Sequence, residues 1–320
     1  MRYLPVGRSG VNVTTLGFGA AAIGNLYRAI DDETARQAVA AGWEAGIRYF
    51  DTAPHYGLGL SERRLGAALR EHPRAQFTIS TKVGRLLVPN PSPTGSDLEQ
   101  GGFAVDDTLR REYDYSRDGV LRSLESSLER LGVDRIDIVY VHDPEDHMGP
   151  ALHEAVPTLV ELRDQGVIGA VGAGMNLVEP LRRFVTETDT DVVMVAGRWT
   201  LVDRSAALLL EDCLDHGVAV VCAAPFNSGL LSRSDPPDDA HFDYGPAPPD
   251  VLAAARACAQ TCIIHATTLP AAALQFPLLH PAVCTVVAGM RTAHQCALNL
   301  EWASAEIDER LWAAMPEAVR

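Results

Sequence analysis

The sequence predicts an α/β fold, a single-domain (β/α)8 barrel, and three observations carry that expectation. Apolar, β-rich runs of four to eight residues recur along the chain. Each is followed by a longer stretch of helical pattern, which is how parallel strands joined by crossover helices read. Eight such runs within 320 residues match a closed TIM-type barrel, which takes about 250 residues or more with insertions, better than an open doubly wound sheet.

Taken in order, Thr15–Ala20 is the first strand and Asp32–Ala45 the first amphipathic helix. Ile47–Asp51 leads into Ser61–Glu71, Phe77–Thr81 into Ser116–Leu131, and Ile136–His142 into Pro150–Gln165. Ile168–Gly174 precedes Val178–Thr186, Val192–Ala196 precedes Ser205–His216, Ala219–Ala223 precedes Val251–His265, and Cys284–Ala288 is the eighth strand. Gly46, Gly132, Gly166 and Gly217 each fall between a helix and the next strand, where glycine ends helices. Two segments interrupt the alternation: Leu86–Tyr115, with Pro89, Pro91, Pro93 and Gly95, and 232–250, rich in Pro, Asp and His. Residues 1–320 therefore read as one barrel with insertions at 86–115 and 232–250. Both insertions follow carboxyl ends of strands, the face on which barrel enzymes place their sites. Substrate lids are one reading; a surface loop is an equal one for the second.

A hydrophobic content of 47% is enough for one large core. The amino terminus, Met1-Arg2-Tyr3-Leu4-Pro5-Val6-Gly7-Arg8, has no long apolar segment. No run of about 18 uncharged apolar residues occurs either, and the expected location is the cytoplasm. A formal charge of −15, from 42 acidic against 27 basic residues, disfavours nucleic acid and anionic membranes as partners. A phosphorylated cofactor would have to be held locally, by backbone N–H groups and a few arginines. The six cysteines, Cys213, Cys222, Cys258, Cys262, Cys284 and Cys296, show no C-x-x-C spacing and read as reduced, packed thiols. Cys258 and Cys262 lie one helical turn apart, but no second His or Cys pair completes a metal site.

Four ionisable residues sit at carboxyl ends of predicted strands, which a barrel gathers around one mouth. Asp51 ends Tyr49-Phe50-Asp51, Tyr56 follows on its loop, Lys82 ends Thr78-Ile79-Ser80-Thr81-Lys82, and His142 ends Val139-Tyr140-Val141-His142. A lysine after an apolar strand needs a counter-ion, and Asp51 is one strand away. A phenol beside an ammonium and an imidazole is expected to have its pKa brought down from about 10, making Tyr56 a proton donor and acceptor. Each residue alone has a plainer reading: a structural ion pair, a satisfied core histidine, a surface phenol.

In context the four residues resemble the aldo-keto reductase family. The resemblance runs through Phe50-Asp51-Thr52-Ala53-Pro54-His55-Tyr56-Gly57 with Ser61-Glu62, then Ser80-Thr81-Lys82-Val83-Gly84, then Val141-His142, and covers nearly the whole chain. It implies that Tyr56 is the general acid or base, that Lys82 and His142 tune it, and that Asp51 orients Lys82. It further implies NAD or NADP, bound along Gly19, Ala20 and Asp51. Trp199 matches the residue that stacks on the nicotinamide, and Pro225-Phe226-Asn227-Ser228-Gly229-Leu230-Leu231 matches the loop over the pyrophosphate. Gly289-Met290-Arg291, Gln295 and Asn299 match the segment at the adenosine end.

Three positions depart from the family pattern. Gly174-Met175 stands where Ser-Asn usually holds the carboxamide, leaving Asn176 to serve instead, and Ala196 stands where Gln is usual. Gln295 replaces a basic side chain common in NADP-dependent members, leaving Arg291 as the nearby cation, which favours NAD over NADP. The chain is similar to the branch that oxidises aldoses at the anomeric carbon, with a pyridoxal-oxidising relative nearby. The resemblance thus implies a small sugar or carbonyl substrate contacting His55, Tyr56, His142 and Asp143, in a monomer or small homo-oligomer. Three alternatives stand beside it. They are a general aldehyde, ketone or pyridoxal oxidoreductase, a non-catalytic cofactor-binding redox sensor, and a metal-dependent barrel hydrolase using Asp51, His55 and His142. The last lacks any H-x-H or H-E-x-x-H pattern.

Overall fold

A computed structural model of the protein describes residues 1–320. Its centre is a closed barrel of eight parallel strands arranged in chain order: β1 (Leu16–Gly19), β2 (Tyr49–Asp51), β3 (Thr78–Val83), β4 (Ile136–His142), β5 (Ile168–Met175), β6 (Val192–Ala196), β7 (Ala219–Ala223) and β8 (Val283–Gly289). Around it lie α1 (Asp32–Glu44), α2 (Leu60–Leu69), α3 (Arg117–Leu131), α4 (Val156–Asp164), α5 (Val178–Glu187), α6 (Ala207–His216), α7 (Pro249–Ile264), α8 (Leu269–Gln275) and α9 (Ala293–Ser304). Polar caps fix several helix starts: the side chains of Asp31, Ser116 and Thr292 accept from Thr34 N, Gly119 N and Gln295 N.

Strand register decides what meets at the mouth. Gly19 pairs with Asp51 and Asp51 with Ser80, Lys82 pairs with Tyr140, His142 with Gly174, and Gly289 closes back onto Gly19. Carboxyl ends from six strands therefore share one rim. Below it the barrel is filled by Tyr49, Ile138, Tyr140, Val192, Met194, Val221 and Cys284, and its floor is plugged by the hairpin of Tyr3–Pro5 and Asn12–Thr14 through Val6 and Val13. A larger cluster of 51 buried residues, including Phe18, Phe50, Trp43 and Phe184, joins strands to helices. Fully burying each such aromatic contributes about 2–3 kcal/mol, so the rim stands on a rigid base.

The structure differs from the sequence expectation in four places. β3 runs on to Val83, which puts Lys82 inside the strand. The helix expected over Pro150–Gln165 is present but not regular: it starts at Met148 and passes through a π-turn at Ala151–Ala155 before α4. Pro157 has no N–H to give the preceding turn, and that missing bond is where the ladder changes pitch. Helices α8 and α9 were not among the expected elements. Finally, the insertions are structured: Arg85–Pro89 pairs with Leu109–Tyr113 in an antiparallel hairpin, and His241–Phe242 pairs with Gly245–Pro246. All six cysteines are buried free thiols, and no single helix is long and apolar enough to cross a membrane.

Candidate active site

The site is built from the barrel outward. Lys82 is almost wholly buried, and its ammonium donates to Asp51 Oδ1 at 2.9 Å, Asp51 Oδ2 at 2.8 Å and Thr52 O at 2.9 Å. Asp51 is held in turn by Ser80 Oγ, which donates at 2.8 Å and meets Tyr49 OH at 3.0 Å; Tyr49 OH lies 3.2 Å from Tyr140 OH. Breaking such a pair costs more than forming it gains, so the ammonium stays where the chain puts it. Burial works to lower the Lys82 pKa, and Asp51 and then Tyr56 outweigh it, leaving the ammonium above its ordinary value.

That ammonium lies 4.8 Å from the centre of the Tyr56 ring. The loop carrying Tyr56 presses against the turn Ala20–Gly24 through Gly57, which has φ +63° and where a Cβ would lie 2.2 Å from Gly24 O; only glycine fits. Here one sequence expectation is corrected. Burial raises the Tyr56 pKa to about 12, and the opposing pull of Lys82 does not overcome it. Taking a phenolate out of water outweighs one nearby cation, so the protein on its own holds Tyr56 as a neutral acid.

His142 stands perpendicular to Tyr56, ring centres 5.9 Å apart. Burial first, then Arg85 and Lys82, push its pKa well below the usual histidine range, so it is a neutral imidazole. Its Nε2 lies 3.4 Å from Asp143 Oδ2, which favours a proton on that nitrogen. Asp143 has a positive φ of 39°, and Arg85 NH2 donates to its Oδ2 at 2.6 Å. Tyr115 OH donates to the backbone oxygens of His142 and Asp143 at 2.9 and 3.2 Å.

His55 completes the mouth, with its ring centre 5.6 Å from His142 and 6.0 Å from Tyr56. Sequence reasoning missed the residues that hold it. Arg111 Nε donates to His55 Nδ1 and Arg111 NH2 to His55 O at 2.9 Å, while Asp97 accepts from the same guanidinium at 2.5 and 2.6 Å. Behind them Glu62, fully buried, accepts from Thr81 Oγ1 at 2.7 Å and Arg130 Nε at 2.6 Å, tying α2, β3 and α3 together beside Lys82. No periodicity marks Arg111 or Asp97; the only signal in the sequence was charge inside a proline-rich insertion.

The residues assigned to a dinucleotide divide into two groups. Gly19 and Ala20 end β1 beside Asp51, and Gly174 and Met175 end β5 beside His142. Asn176 follows, its backbone oxygen accepting from Arg198 Nε at 3.0 Å. After β7 the turn from Pro225 to Leu230 contains Asn227, Ser228 and Gly229 at positive φ, a conformation that concentrates N–H groups. Asn227 Nδ2 donates to Gly197 O at 3.0 Å, while its Oδ1 is buried with no partner. After β8, Gly289 leaves open space where a Cβ would stand, Gln295 Oε1 accepts from Arg291 N at 2.8 Å, and Asn299 is buried on α9. Arg291 Nε is also buried without a partner. Two orphaned polar atoms and a left-handed turn along one rim fit a dinucleotide. Burial, then nearby Arg28, lowers the Arg291 pKa, so a second cation stands where the sequence reading saw one. Trp199 does not join this group. Its ring packs against Phe276 and His280, each at 5.6 Å, in the helical layer where His280 Nε2 reaches Glu211 of α6 at 3.5 Å. A place on the face of a nicotinamide finds no support in that packing.

A phenol, a charge-paired lysine and a neutral imidazole thus meet at one barrel mouth. Residues 15–320 match the model of the Aldo/keto reductase family. Over 314 residues the chain is 47% identical to a D-threo-aldose 1-dehydrogenase of Pseudomonas sp., covering 97% of this chain and 95% of that one. It is 37% identical over 328 residues to a pyridoxal 4-dehydrogenase of Microbacterium luteolum, covering 97% and 95%. The solved holo structure of an aldo-keto reductase from Bacillus halodurans superposes with a TM-score of 0.79 at 24% identity, covering 100% of this chain and 97% of that one, a likeness of fold. The chain belongs to the aldo/keto reductase family. It is therefore an oxidoreductase of the kind that works with a nicotinamide cofactor.

Proposed function

We propose that the protein oxidises an aldose at its anomeric carbon to the lactone, with NAD as the hydride acceptor. The observation that carries this reading is the buried Lys82–Asp51 pair beside Tyr56, with neutral His142 across the same mouth. The 47% identity to an aldose 1-dehydrogenase supports the substrate class. A bound nicotinamide supplies the site that takes or returns the hydride. Every other part of the reaction is proton handling by this chain. For oxidation Tyr56 first gives up its own proton to solvent, and the resulting phenolate takes the proton of the sugar hydroxyl as the C–H bond breaks; for reduction the neutral phenol gives its proton to the carbonyl oxygen. Lys82 stabilises the phenolate in between, and His142 donates from Nε2 to the same oxygen. Asp51 keeps the ammonium aimed; His55 and Asp143 meet the remaining hydroxyls.

For the cofactor, Pro225, Asn227, Gly229 and Leu230 would hold the pyrophosphate, and Gly289, Arg291, Gln295 and Asn299 the adenosine. NAD is preferred because Arg291 already donates to Leu26 O at 2.6 Å and Gln295 is neutral and engaged. Arg28 is the residue that would admit NADP. The reading takes the enzyme to be cytoplasmic, a monomer or small homo-oligomer, with a small sugar rather than nucleic acid or membrane as its partner. The net charge of −15 supports that last point. The test is a panel of aldoses, pyridoxal and simple aldehydes against NAD(H) and NADP(H), with the lactone identified. The expected result is the highest kcat/KM for an aldose with NAD; a clear preference for pyridoxal or for aldehyde reduction would overturn the substrate assignment.

A further inference from the structure

The insertion after β3 is a hairpin whose pairing puts Arg85 opposite Tyr113 and Leu87 opposite Arg111. Directly paired side chains share a face, and alternate positions along a strand return to it, so Arg85 and Arg111 project from one side. That side meets the mouth: Arg85 reaches Asp143 and Arg111 reaches His55. Arg111 is itself immobilised. Asp97, nearly fully buried, grips its two terminal nitrogens in a fork, and a Cβ at Gly101 would collide with both partners, 2.3 Å from Asp97 Oδ2 and 2.4 Å from Arg111 NH2.

The consequence falls on one proton. Arg111 donates to His55 Nδ1, so that nitrogen is the acceptor and carries no hydrogen. Burial, then the charge of Arg111, lowers the His55 pKa to about 2, so the ring is neutral and its single proton is on Nε2. Nε2 has no partner in the protein and is not among the sealed, unpartnered atoms. Phe103 packs perpendicular to the ring, centres 5.3 Å apart.

Building on the aldose reading above, we propose that Asp97 and Arg111 are positioning residues that lock His55 as an Nε2–H donor toward one ring hydroxyl of the sugar. Substrate choice then rests on a residue of the Tyr56 loop steered from the insertion. A site whose polar group is committed to a hydroxyl rejects the analogue lacking it, because the buried donor is left unpaired.

The experiment compares the preferred aldose with its monodeoxy analogues, and with propanal, which has no ring hydroxyls, in wild type and Arg111→Met. In wild type one deoxy analogue has a kcat/KM lower by about tenfold or more. In Arg111→Met that gap closes to about twofold as the KM for the parent sugar rises, while kcat on propanal moves far less. Arg111→Lys, which keeps one donor, restores part of the gap. Should Arg111→Met fail to fold by circular dichroism, Asp97→Asn is read in the same way. An unchanged deoxy gap, or equal losses on aldose and propanal, overturns the relay while leaving the aldose reading in place. If wild type reduces propanal but oxidises no aldose, the aldose reading falls and the relay falls with it.

Discussion

Lys82, buried, and Tyr56, half-buried beside it, show how two neighbouring groups divide one problem. The ammonium keeps its charge because Asp51 takes both sides of it, and the phenol keeps its proton because nothing equivalent faces it. With its pKa raised to about 12, Tyr56 is in the acid form throughout the neutral range. The sign for catalysis follows. In the reducing direction the acid is required, so kcat/KM stays flat from about pH 6 to 9; in the oxidising direction the phenolate is required, so kcat/KM climbs with pH, approaching tenfold per unit. Neutral His142 and His55 add no break near pH 6.5. Rate profiles measured in both directions check this, and reduction falling away with a midpoint near pH 7 would contradict it. The same four residues were legible in the sequence because each ends a strand or follows one, and a barrel leaves such ends nowhere else to go. Trp199 was less legible for the converse reason: a tryptophan after a strand reads the same whether its ring turns to the mouth or to the helices, and in the structure it packs beside Phe276 and His280.

Between single residues and the barrel, elements do the positioning. β3 runs two residues beyond its expected end and so contains Lys82, and α2 and α3 clamp that strand through Glu62, Thr81 and Arg130. Glu62 is completely buried and Arg130 mostly so, so Glu62→Ala leaves a guanidinium with no counter-ion. The expected loss of stability is about 3–5 kcal/mol, read from urea denaturation; a change below about 1 kcal/mol would mean that water reaches Arg130 freely. The strands and most helices could be read from periodicity, since they alternate apolar runs with amphipathic turns. α8 and α9 could not. The first is short and buried throughout, and the second mixes apolar and polar residues around its circumference, so neither shows a stripe. Asp97 and Arg111 were equally hidden, because their meaning depends on hairpin pairing inside a segment with no period.

At the scale of the molecule, a closed ring of parallel strands brings Gly19, Asp51, Lys82, His142 and Gly174 to one rim from positions spread over half the chain. The chain as a whole carries an excess of acidic residues, and the cations at the rim are few and individually placed: Lys82 under the phenol, Arg85 beside Asp143, Arg111 beside His55, and Arg28 near Arg291. The proposed reaction converges on proton transfer at Tyr56. The most direct test is turnover of the preferred aldose by Tyr56→Phe, with NAD(H) binding followed in parallel by fluorescence. Removing the hydroxyl alone is predicted to lower kcat by about 100-fold or more while cofactor affinity stays within about twofold. Turnover near wild type with cofactor bound would show that the proton travels by another route.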